Sequence, residues 1–140
     1  MTTALDTNVL IALWGKDATT SSAAEAALEA ALRRGPLVVP APVFAELMAF
    51  PGRSATFLDA FLKDTGISVD WELNDATWRT AGLAFQTYAE RRRKQGDIGP
   101  RRILADFLIG AYALQKHCCL LTLDDRFFAI SFPGLEIARF

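Results

Sequence analysis

Three observations predict an α/β fold with a central, mostly parallel sheet covered by helices on both faces. Strand-like and helix-like segments alternate along the chain, and each strand-like segment is a short continuous apolar run, as burial on both sides requires. The 140 residues are 51% hydrophobic, enough for one domain over residues 1–140 with a substantial core. No internal repeat or low-complexity tract breaks the alternation.

Residues 2–5 read as the first strand, and residues 8–14 as a helix starting directly after Asp6. Ser21 and Ser22, followed by Glu25, look like a capping box opening an Ala-rich helix to Arg33, which Gly35-Pro36 stops. Residues 37–39 form the second strand, with Pro40 and Pro42 placing a helix start near Val43. Residues 54–63 are a helix closed at Gly66, and residues 67–70 a brief strand. Asn74 or Asp75 caps a long helix to about Lys94. Residues 103–116 are an apolar helix, 119–122 a strand, 126–128 a short capped segment and 135–137 a last strand.

A formal net charge of -1 argues against a protein that coats nucleic acid over its whole surface, but it leaves room for a local basic strip. Arg91, Arg92, Arg93 and Lys94 on one side, and Arg101 and Arg102 on the other, bracket residues 96–100. Structurally this is a solvated helix end whose cations suit the helix dipole; functionally it is a phosphate-facing strip. The neighbouring Cys118 and Cys119 would make a strained disulfide and lack CxxC spacing, so a reduced, cytoplasmic protein is expected. The apolar patch at residues 9–14 has no basic segment before it and no cleavage site, so it is not a signal peptide. The longest apolar run, around residues 103–114, is too short for a bilayer, and no membrane partner is expected.

Four acids stand where packing alone does not explain an acid. Asp6 ends the apolar run Thr-Ala-Leu, Glu46 follows Pro-Val-Phe-Ala, Asp106 lies inside an apolar helix, and Asp124 follows Leu-Leu-Thr-Leu. A carboxylate among apolar neighbours is costly unless compensated, and several together repel unless a cation lies between them. In a parallel sheet, sites form at the carboxyl ends of strands, where Asp6 and Asp124 fall. Glu46 would sit one turn into the helix after the second strand, and Asp106 near the start of the helix before the fourth. Each acid has a structural alternative: N-capping for Asp6, and first-turn dipole stabilisation for Asp106 and Glu46. Asp125 competes with Asp124, one capping the segment after it while the other faces the site; the spacing from Thr122 favours Asp124. Thr7, Asn8 and Thr122 are polar supports that could also make ordinary turn bonds.

His117 is the only histidine, which excludes a two-imidazole ribonuclease mechanism and leaves neither a clear Ser-His-Asp triad nor a His/Cys zinc cluster. Hard oxygen donors select Mg²⁺ or Mn²⁺. The constellation points to a metal-dependent hydrolase.

Four motifs then carry a resemblance. Leu-Asp-Thr-Asn-Val-Leu-Ile at residues 5–11, Pro-Val-Phe-Ala-Glu-Leu at 42–47, Leu-Ala-Asp-Phe-Leu-Ile-Gly-Ala-Tyr-Ala at 104–113 and Leu-Leu-Thr-Leu-Asp-Asp-Arg-Phe-Phe at 120–128 resemble the PIN-domain nucleases. The chain is most similar to the VapC toxins of prokaryotic toxin–antitoxin pairs. The resemblance implies a three-layer α/β/α sandwich, an Mg²⁺- or Mn²⁺-dependent endoribonuclease, a homodimer, and a VapB-like antitoxin whose tail crosses the active-site groove. It also implies that Asp6, Glu46, Asp106 and Asp124 are the catalytic, metal-binding quartet. Thr122 matches the Thr or Ser often found before the last acid, and Asp125 stands where many relatives have another residue. The strip of Arg91, Arg92, Arg93, Arg101 and Arg102, with the loop at residues 96–100, is the candidate RNA contact.

Other readings are a stand-alone RNA-processing PIN nuclease, a haloacid-dehalogenase-type phosphatase and a non-catalytic RNA-binding module. The phosphatase needs a second Asp where this chain has Asn8, and a binding module has no use for mutually repelling acids. The Ala-rich helix and the Phe57-Leu58-Phe61-Leu62 face suit either ordinary core or a surface for a second copy or an antitoxin helix. Joint replacement of Arg91, Arg92 and Arg93 should weaken RNA binding and flatten its salt dependence. Filter binding over a salt series tests this, and an unchanged affinity and slope would remove the strip from the interface.

Overall fold

The computed structural model describes residues 1–96 and 101–140. Its sheet contains β1 (Thr3–Leu5), β2 (Leu37–Pro40), β3 (Ser68–Asp70), β4 (Cys119–Leu121) and β5 (Ile137–Ala138), all parallel, in the spatial order β3-β2-β1-β4-β5. The chain starts in the middle, adds β2 and β3 on one side, and then crosses over to add β4 and β5 on the other. β1 and β4 are therefore neighbours whose connections depart in opposite directions, the switch point where a crevice opens beyond the strand ends. Leu5 pairs with Leu121, so these two strands finish level.

The helices are α1 (Thr7–Trp14), α2 (Ala18–Arg34), α3 (Ala41–Met48), α4 (Ala55–Thr65), α5 (Asp75–Gln95), α6 (Leu104–Gln115) and α7 (Asp125–Ser131). Every residue of β1, β2 and β4 is buried, which is why these strands read as continuous apolar runs. In α6, Phe107 through Ala113 are all buried, so that helix shows almost no amphipathic pattern. α5 packs antiparallel to it, with Gln115 hydrogen-bonded to Thr80 at one end and Phe85 stacked on Phe107 towards the other. Among the described residues, no helix is long and apolar enough to cross a membrane. Cys118 and Cys119 are free, buried thiols.

Several helix ends follow the expected local chemistry. Ser54 accepts the Phe57 N–H and Asn74 the Thr77 N–H, while Gly66 closes α4 in the left-handed conformation. The last strand lies at Ile137–Ala138 rather than at residues 135–137, and three helix boundaries also differ from expectation. α2 starts at Ala18 rather than near Ser21 and Ser22, because Asp17 caps it through the Thr19 N–H and the Thr20 hydroxyl. Ser21 instead donates to the Leu13 carbonyl. α3 starts at Ala41, two residues before Val43: Pro40 is its N-cap, and Pro42 sits in the first turn, where no intrahelical donor is needed. The segment after Asp124 is a longer helix than residues 126–128. In the face considered for a partner, Ala24, Ala31, Leu58 and Leu62 are core residues, while Phe57 is partly exposed.

Gly110 allows the tightest approach around α6. A Cβ there would lie 2.2 Å from Cε2 of Phe132, a ring that is itself buried. Gly110→Ala should therefore destabilise the fold by about 2–3 kcal/mol through overpacking. Urea denaturation would show this, and combining it with Phe132→Leu should recover part of the loss.

Candidate active site

The crevice beyond β1 and β4 is built around Asp6, the residue after the end of β1. Its backbone N–H donates to the Leu121 carbonyl of β4, and its side chain is only 6% exposed. Oδ1 accepts the Thr7 N–H at 2.8 Å, so Asp6 does N-cap α1 as its alternative reading expected. Oδ2 accepts the Thr122 hydroxyl at 2.7 Å, a bond that no cap requires. Burial pushes the Asp6 carboxyl up to about 6, against the lowering effect of these hydrogen bonds, and the charges of Asp106 and Glu46 add to the rise.

Thr122, fully buried, is the hub of the strand-end contacts. Its oxygen also accepts the Asp124 N–H at 2.9 Å, and the Asn8 amide lies within 3.5 Å. Asn8 Oδ1 in turn accepts the Leu123 N–H, tying the start of α1 to the turn after β4. Thr7 uses its hydroxyl on the other side, donating to Glu46 Oε1 at 2.6 Å. Thr7, Asn8 and Thr122 thus all join the cluster as supports.

Glu46 is the sixth residue of α3, so it belongs to the second helical turn and not the first. The dipole explanation considered for it therefore fails, because that effect is confined to the end turn. Burial raises its carboxyl above the ordinary range and Asp106 adds to this, while the Thr7 hydroxyl opposes it. Asp106 is the third residue of α6 and accepts the Ile103 N–H at 3.3 Å. Burial raises it too; the Ile103 N–H and Arg102 pull it down, and Asp124 pushes it up. Asp106 is thus the acid that couples to all three others.

Asp124 and Asp125 separate cleanly. Asp124 receives a hydrogen bond from Arg102 and faces the cluster, whereas Asp125 pairs with Arg139 at 3.0 Å. Arg102 thereby becomes part of the acidic site, with its guanidinium 4.1 Å from the Phe127 ring centroid and its backbone N–H on the Tyr88 hydroxyl. Tyr88 and Phe127 are supports that the sequence did not flag, because nothing in local spacing links residues 88, 102 and 127. Arg93 and Arg101 are exposed, and Arg92 leans on Tyr88. Residues 97–100 of the candidate RNA loop lie outside the described residues.

The donor set suits a hard divalent cation, since it consists of carboxylates raised by burial and mutual repulsion, which a cation would relieve. The spacing is open: among the described residues, no group of three His, Cys, Asp or Glu side chains is gathered closely enough to hold a metal ion as it stands. Because the folded protein holds the Asp6 proton more tightly than the unfolded chain does, stability should fall as pH rises from about 4 to about 6 and stay reduced above that. Asp6→Asn should lessen the fall, leaving the part due to Glu46 and Asp106, and add roughly 1–2 kcal/mol at pH 7, less than the full shift because an amide loses the Thr122 hydroxyl. Metal-free urea titrations from pH 3.5 to 7.5 would check this; parallel curves for both proteins would contradict it.

The family model for the PIN domain matches residues 3–133. None of the curated proteins matches the chain in sequence. Among solved structures, VapBC-1 from nontypeable Haemophilus influenzae is similar at a TM-score of 0.67 and 22% identity, covering 99% of this chain and 98% of that one. VapBC2 from Rickettsia felis, bound to a DNA fragment from its promoter, gives 0.61 and 19%, covering 100% and 99%. A toxin–antitoxin complex from Klebsiella pneumoniae gives 0.62 and 17%, covering 97% and 95%.

Proposed function

The chain belongs to the PIN domain family, and on that premise we propose that it is a metal-dependent endoribonuclease, one nuclease domain acting as the toxin of a toxin–antitoxin pair. The observation that carries the reading is the hydrogen-bonded seam at the strand ends, where Thr122 bonds Asp6 and the Asp124 N–H and Thr7 bonds Asp6 and Glu46, drawing acids from distant parts of the chain to one sheet edge. Such a cluster opposes folding unless its charge has a use. The toxin assignment draws on the fold shared with the Klebsiella toxin–antitoxin complex, and the cognate partner would be a VapB-like antitoxin. A homodimer in a reducing cytoplasm completes the proposal.

In this reading Asp6, Glu46 and Asp106 hold Mg²⁺ or Mn²⁺, with Asp124 joining them. A cation bound there supplies positive charge for a scissile phosphate and an acidified water. The protein's own part is positional. Thr122 and the Thr7 N–H fix both oxygens of Asp6, and the Thr7 hydroxyl holds one oxygen of Glu46, leaving its other oxygen to face the cluster. Asn8 pins the turn that carries Asp124. No side-chain nucleophile is required, and an in-line attack by water would leave a 5′-phosphate and a 3′-hydroxyl.

Incubating the protein with total cellular RNA plus Mg²⁺ or Mn²⁺ should give discrete fragments. EDTA should abolish them, and Asp6→Asn should reduce the rate on the order of a hundredfold or more. An Asp6→Asn protein cutting at the wild-type rate would sink the assignment.

A further inference from the structure

We propose that Arg102 is the resident counter-cation of the acidic site, holding Asp124 by a contact that a divalent ion must displace. The inference rests on the reading of this cluster as a metal site and adds how access to it is controlled.

Several contacts set Arg102 in place. Its Nη1 donates to Asp124 Oδ2, its guanidinium lies 4.1 Å from the centroid of the Phe127 ring, and its backbone N–H donates to the Tyr88 hydroxyl at 2.8 Å. A surface arginine seldom has its backbone and its head group fixed at once, because each long side chain held in one geometry loses rotamer entropy.

A guanidinium on Asp124 Oδ2 competes with a metal for that oxygen, and its charge repels an incoming divalent ion. Arg102 and Asp124 are 35% and 34% exposed, so water competes for the contact and the pair is exchangeable. A fully buried pair would be a fixed structural element; this one is strong enough to be occupied and weak enough to yield. Once released, the guanidinium remains stacked on Phe127 beside the cluster, with its fork free for a phosphate oxygen.

The test is Mn²⁺ affinity, measured by isothermal titration calorimetry at physiological ionic strength on the wild-type protein, Arg102→Gln, Asp124→Asn and the double variant. Circular dichroism would confirm the fold of each. Arg102→Gln should bind Mn²⁺ roughly five- to tenfold more tightly, the fold-change expected from removing a half-exposed ion pair and one like charge. In the Asp124→Asn background the same substitution should have much less effect, because there is no contact left to displace. Equal or weaker Mn²⁺ binding by Arg102→Gln would overturn the inference while leaving the metal site standing. An equally large gain in both backgrounds would overturn it as well, reducing Arg102 to a distant charge. No Mn²⁺ binding by any of the four folded proteins would overturn the metal-site reading and this inference together.

Discussion

A carboxylate sealed between two adjacent strand ends must find donors for its oxygens, and at Asp6 those donors determine much of the local architecture. One comes from the first turn of α1, which sets where that helix begins. The other comes from Thr122, which requires β4 to lie directly beside β1 and to end at the same level. The sheet order with β1 in the centre is therefore the order that lets Asp6 be buried at all. Thr122 passes the constraint on, since its oxygen also fixes the Asp124 N–H and so orients the start of α7.

The cost of this arrangement is electrostatic. Asp6 is raised by burial, and Glu46 and Asp106 are raised for the same reason, so the crevice concentrates negative charge in a poorly solvated place. Threonine hydroxyls offset part of it without adding charge, and Arg102 offsets part of it with charge. A site satisfied by hydroxyls alone would accept a cation with little reorganisation. Pairing Asp124 with an arginine would, on the proposed reading, make cation entry an exchange.

Much of this could be read from residue order because the signals were local. Continuous apolar runs marked β1, β2 and β4, and the caps at Ser54 and Asn74 and the glycine at residue 66 marked helix ends within a residue. The four acids stood out because each sat beside apolar residues. Signals failed where two local solutions competed. Asp17 and Ser21 are both good N-caps, and only the folded contacts, Asp17 with Thr19 and Thr20 and Ser21 with Leu13, reveal which one α2 uses. Pro40 and Pro42 both permit a helix start, and a two-residue difference moved Glu46 out of the first turn. Long-range contacts left no trace in spacing at all: the Arg102–Asp124 pair and its Tyr88 and Phe127 supports depend on how α5, α6 and α7 meet. Spacing alone therefore groups Arg102 with its basic neighbours, while the fold sets it against Asp124.

The bond between Asp6 and Thr122 spans 116 residues, and it joins the first strand of the chain to the fourth. During synthesis the first acid emerges early, but its partner and the last acid emerge only after most of the chain has left the ribosome. A growing polypeptide with β1, β2 and β3 in place would still lack the wall that closes the crevice. The order of the strands thus delays completion of the acidic crevice until translation of the domain is nearly finished.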